Sequence, residues 1–156
     1  MILDERTEFC DATALNTGGA GSYLIGDVLD TQGIDIGTAN TTLDFGQGGS
    51  LWLMITVDTT ATSGGSATGQ FHLCSDSGAS IATDGSATYH FSTSAIPVAT
   101  LAAGYRVCAV QLPSGSYERY VGILQTTGTA AFTAGKVNAF LTNDPAMWRP
   151  YADNVA

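Results

Sequence analysis

A chain of 156 residues is long enough for one domain with a real buried core and needs no disulfide or metal staple. Only 12% of it is charged, about half the share in an average soluble domain, and the net charge is −9, with Lys136 as the single lysine beside four arginines. That balance excludes a basic patch for nucleic acid and disfavours an anionic membrane surface, and the 44% hydrophobic content excludes a disordered chain.

The first eight residues, Met-Ile-Leu-Asp-Glu-Arg-Thr-Glu, have neither the cationic start nor the apolar run of a secretory signal. No apolar run reaches the length of a membrane span, so synthesis and assembly in a cytoplasm are expected. The segment 1–15 begins charged and turns apolar, which predicts an N-terminal arm (1–10) leading into a short strand. Tyr23–Leu29 reads as a short edge strand, and 30–49 as a long Gly/Asp-rich loop with one short strand near Thr41–Phe45.

Ser50–Asp58 is the strongest strand signal in the chain. Leu51, Leu53, Ile55 and Val57 share one face, and Trp52, Met54 and Thr56 share the other. A strand apolar on both sides needs a cover on its outer face, from the chain's own arm or from another subunit. Thr59–Gly69 is a Thr/Ser/Gly stretch predicted to be a loop. Gln70–Asp76 alternates Phe71 and Leu73 against His72 and Cys74; Ser77–Ser86 is a turn region; Thr88–Ser92 is a short strand; Ile96-Pro97 opens a connector.

Three further strands are predicted at Tyr105–Leu112, Arg119–Thr126 and Ala131–Thr142, separated by Pro113-Ser-Gly-Ser and Thr127-Gly128 turns. Strand-and-turn units with no sustained 3.6-residue period call for an all-β fold: an antiparallel jelly-roll β-sandwich, one domain over 1–156. A Pro-bracketed tail follows (145–156), Pro-Ala-Met-Trp-Arg-Pro-Tyr-Ala-Asp-Asn-Val-Ala. It combines Trp148, Arg149 and Tyr151, the three residue types most enriched in binding hot spots. The same tail could instead fold back over its own sheet, since Trp is mostly buried.

Signals for chemistry are sparse. His72 and His90 each stand alone, without the His-x-His pair of a metal-binding jelly roll, and no Gly-x-Ser-x-Gly elbow is present. Cys10, Cys74 and Cys108 are odd in number, far apart and set in apolar stretches, which predicts reduced, packed thiols. Single aspartates at turns (Asp27, Asp30, Asp35, Asp44, Asp58, Asp76, Asp84) read as turn formers, although a carboxylate pair involving Asp4, Glu5, Glu8 or Glu118 stays open. No catalytic, cofactor or metal site is therefore expected.

The second half carries a resemblance. Leu101-Ala-Ala-Gly-Tyr-Arg-Val, Val110-Gln-Leu-Pro, Glu118-Arg-Tyr-Val-Gly and Phe132-Thr-Ala-Gly-Lys-Val-Asn-Ala-Phe-Leu, with the closing Trp148-Arg-Pro-Tyr-Ala-Asp, resemble the Bbp16-like cement (decoration) proteins of tailed-bacteriophage capsids. The resemblance covers the last third well and the middle loosely, and it rests on scaffold and turn residues. It implies a jelly roll on the outer surface of the virion, acting as a homo-oligomer (dimer or trimer) that bridges major capsid protein subunits. On that reading Ile2, Leu3, Arg6, Trp148, Arg149 and Tyr151 are expected to contact the capsid or a neighbouring subunit, and Trp52, Met54 and Phe140 to form the oligomer interface. A virion-surface module binding host glycans is the alternative, weakened because the loops Thr59–Gly69 and Ser77–Ser86 hold no aromatic residue. A small jelly-roll enzyme is the third.

Overall fold

The computed structural model describes residues 7–31 and 51–148. Its strands are β1 (Glu8–Ala14), β2 (Gly21–Asp30), β3 (Trp52–Ser63), β4 (Thr68–Asp76), β5 (Thr88–Ser92), the two-residue β6 (Ile96–Pro97), β7 (Arg106–Gln111), β8 (Tyr120–Gly128) and β9 (Phe132–Thr142). Two antiparallel sheets face each other. The first has the order β1-β9-β3-β7, and the second β2-β8-β4-β5 with β6 against β4.

With β6 set aside, first pairs with eighth, second with seventh, third with sixth and fourth with fifth. That nesting is one long hairpin rolled up on itself, the order expected of a jelly roll. The expected all-β sandwich is thus what forms. The last three strands, contiguous in sequence, are not neighbours in space: β7 and β9 lie in the first sheet on either side of β3, and β8 lies in the second.

Period-2 alternation decides which residues meet between the sheets. Leu53, Ile55 and Val57 of β3, with Val137, Ala139 and Leu141 of β9, face Phe71 and Leu73 of β4 and Val121 and Ile123 of β8 in one contiguous core. Phe9 and Cys10 join it, so residues 8–10 of the expected N-terminal arm are strand, held by their apolar side chains. Thr59–Ser63 corrects a second expectation. Its backbone pairs with Phe132–Lys136 and extends β3 well beyond Asp58, and the hydroxyls of Thr62 and Thr133 meet at 2.8 Å. Threonine, which reads as loop in a Ser/Gly context, suits a solvent-facing strand once a partner strand is present. The strand expected near Thr41–Phe45 falls outside the described residues.

The sheets close on each other where β1 approaches β2. Gly26 (φ +70°) is required there, because a Cβ would run into the Phe9 carbonyl. Gln125, fully buried at the end of the core, is satisfied locally: its carbonyl accepts from the Asn16 N–H (2.9 Å), and its amide donates to Thr127 Oγ1 (2.8 Å) and the Asn16 carbonyl (3.2 Å).

The loop 77–87 is more than a turn. It folds over the outside of the second sheet, where Ile81 and Ala87 pack on Cys74 and Leu124 in a separate small cluster. Asp76 holds the loop's start by accepting from the N–H groups of Gly78 (3.1 Å) and Ala82 (2.9 Å), which keeps its carboxyl below the usual range. Gly122 leaves room for the lid: a Cβ there would sit 2.6 Å from Ile81 Cδ1. Gly122→Val is expected to lower stability by about 1–3 kcal/mol through overpacking. Ile81→Ala is expected to cost about 2–4 kcal/mol by opening a cavity. Urea unfolding midpoints check both, and unchanged midpoints would show that the lid is not packed.

Candidate docking site

The outer face of the first sheet is built from the alternate residues of its central strands. On β9 these are Asn138 and Phe140, and on β3 they are Trp52, Met54 and Thr56. Register sets Phe140 beside Met54 and Asn138 beside Thr56, with Glu8 of β1 opposite Phe140 on the other side. After Thr142 the chain turns back over this face in a short 3-10 turn, Pro145–Trp148. Asp144 caps the turn, accepting from the Ala146 N–H at 3.2 Å. Trp148 then lands on Phe140, with ring centroids 4.7 Å apart and planes tilted by 57°, a favourable aromatic geometry.

The expected contact residues divide as follows. Ile2, Leu3, Arg6, Arg149 and Tyr151 lie outside the described residues. Trp148, Phe140 and Met54 are brought together, but Met54 and Phe140 are covered within the chain itself, at 0% and 4% exposure. Trp52, at the start of β3, is half-buried. Of the two readings of the tail, its described part follows the second: it covers its own sheet. The Trp148 indole N–H is buried there without a hydrogen-bond partner among the described residues, a shortfall of about 1–3 kcal/mol. Met147 beside it projects outward, 66% exposed.

Among the described residues the cover is incomplete. Between the turn and the strands lies an open cavity of about 540 Å³. Phe140, Trp148 and Met147 are its apolar lining; Thr56 and Asn138 come from the strands beneath; Glu8, Asp11 and Asp58 supply carboxylates. Asn138 is fixed by accepting the Ala12 N–H (2.6 Å), at a β1 bulge where Ala12 has φ +44°. Sequence reading missed this groove, because its residues come from four distant segments and Asp58 reads as an ordinary turn aspartate.

Elsewhere the reactive side chains are tied up. His72 is buried, with Nδ1 2.7 Å from Ser92 Oγ and Nε2 3.0 Å from Thr126 Oγ1, and its ring packs edge-on to Tyr89. His90 Nε2 lies 2.7 Å from Ser75 Oγ, and its ring stacks on Tyr117 at 3.8 Å. Burial lowers the pKa of both histidines. The three cysteines are free, and burial pushes each thiol up to about 12, as packed thiols require. Asp30 and Arg119 pair at 2.8 Å, with the guanidinium also over the Tyr120 ring. No group of three or more His, Cys, Asp or Glu side chains converges on a metal position among the described residues.

Fold and surface together define an all-β sandwich with a grooved outer face, in which the histidines and cysteines serve packing. A model of the Bbp16 family matches residues 24–141, about three quarters of the chain, and the protein belongs to that family. The matched span runs from within β2 to the end of β9, so it includes Thr56, Asp58, Asn138 and Phe140 of the groove and leaves out Glu8, Asp11, Met147 and Trp148. No curated protein matches the chain.

Two outcomes are expected. Trp148→Ala should lower the unfolding free energy by roughly 1–3 kcal/mol for a half-buried aromatic, seen as a lower urea midpoint with the slope unchanged; an unaltered midpoint would mean that the turn is not docked in solution. For the histidines, the folded pKa lies below the unfolded value of 6.5, so the unfolded state binds more protons between the two. Stability should therefore be full above about pH 6.5 and fall as the pH drops from there towards the folded pKa values, with a shallower fall in His72→Gln. A pH series of urea unfolding curves checks the sign.

Proposed function

We propose that this protein is a structural virion component, a cement or decoration protein on the outer face of a tailed-phage icosahedral shell, where it bridges and stabilises major capsid protein subunits as a homo-oligomer. The observation that carries the reading is the Bbp16 family match across the sandwich, joined to the resemblance of its second half to Bbp16-like cement proteins. Several physical features support it. The sandwich is built on one contiguous apolar core shared by both sheets, the kind of scaffold a structural role requires. The −9 charge suits a place outside the shell, away from packaged DNA. The groove and the projecting Met147 offer a partner both apolar and charged contact.

The mechanism is additive contact. Each copy contributes a modest interface across a subunit boundary, and many copies on one closed shell act together against expansion under the pressure of packaged DNA. No proton transfer, nucleophile or cofactor takes part.

Deleting residues 145–156 is expected to leave the sandwich folded, by far-ultraviolet circular dichroism and a cooperative urea transition, while abolishing co-sedimentation with purified expanded capsids. A truncated protein that decorates capsids as well as the full chain would refute the assignment of attachment to this end of the molecule.

A further inference from the structure

We propose that the groove on the outer face of the first sheet receives an arginine side chain presented by the capsid subunit; this partner assignment rests on the capsid reading above. The groove is lined by two unlike sets of side chains. One is the Phe140–Trp148 aromatic pair, extended by the thioether of Met147. The other comprises the carboxylates of Asp11, from β1, and Asp58, from β3, the two strands that flank β9. Both aspartates are exposed, and neither makes an ion pair among the described residues. Glu8 adds a third carboxylate, one already engaged in other contacts.

Aromatic rings and carboxylates that line one groove select a cation with an apolar stem. A guanidinium meets both demands at once: its planar face stacks on an aromatic ring while its edge donates to carboxylates. An ammonium loses the stacking component and is more strongly hydrated, so arginine is favoured over lysine. A neutral or anionic segment would leave Asp11 and Asp58 uncompensated as the groove closed over them. The volume of about 540 Å³ accommodates one such side chain with part of its backbone. Charge complementarity extends beyond the groove, because a chain of net charge −9 is steered towards a basic surface.

Two measurements on the full-length chain test this separately from the capsid reading. The first titrates the protein with N-acetyl-arginine amide and with its neutral isostere N-acetyl-citrulline amide, following the Trp148 and Trp52 indole resonances by NMR. The Trp148 resonance should move with arginine and not with citrulline, and that of Trp52, which does not line the groove, should stay. Equal response to both compounds, or to neither, would overturn the proposal. The second measures co-sedimentation of the Asp11→Asn/Asp58→Asn double variant with expanded capsids. Its apparent affinity should fall by about tenfold or more, with a weaker dependence on salt.

Wild-type affinity in the variant would overturn the proposal even with capsid attachment intact. If wild type fails to bind capsids while the arginine titration succeeds, the named partner is overturned and the cation chemistry of the groove stands. If the double variant alters only the protein's own oligomeric mass, the occupant is a second copy and the proposal falls.

Discussion

The central strands of both sheets carry apolar residues on their outer faces as well as their inner ones, and the rest of the molecule answers that constraint. Leu53, Ile55 and Val57 point into the sandwich, yet Met54 between them points out; Phe71 and Leu73 point in, yet Cys74 points out beside Leu124. A two-layer sandwich buries one face of each sheet, so each outer face needs a further cover. The chain supplies both. Loop 77–87 closes over the second sheet, and the turn Pro145–Trp148 lies over the first.

Among the described residues the two covers differ in how completely they close, and the proposed function rests on that difference. On the second sheet, Asp76 anchors the lid through backbone N–H groups, Ile81 fills the space over Gly122, and a sealed cluster results. On the first sheet the cover is a single turn of chain, with an unpaired indole N–H, an outward-pointing Met147 and an open groove beside it. One outer face is closed over by the chain itself. The other, among the described residues, keeps an open groove, and that is the edge proposed to meet a partner.

The alternation of Leu53, Ile55 and Val57, and that of Val137, Ala139 and Leu141, was legible without coordinates, because period 2 depends on the strand alone. Strand order was not, since β7, β8 and β9 are consecutive in sequence yet pair across the roll with strands far earlier in the chain. Thr59–Ser63 read as loop because threonine and serine serve exposed strand and loop alike, and only the partner strand decides. The lid function of Ile81 was hidden for a similar reason: one apolar residue in a Ser/Gly/Asp stretch shows no period. For the site, the aromatic character of Trp148 and the two-sided character of Met54 were visible. The meeting of Asp11, Asp58, Asn138 and Trp148 was not, because it is created by the β1-β9-β3 order.

The central claim is that the protein grips a capsid through the outer face of its first sheet and leaves the lidded second sheet free. Hydrogen–deuterium exchange of the protein alone and bound to expanded capsids tests this most directly. The account predicts new protection over β1, the 56–58 stretch of β3 and the turn Pro145–Trp148, with the loop 77–87 unchanged. Protection centred on loop 77–87 and β5, or none anywhere on the sandwich, would contradict it.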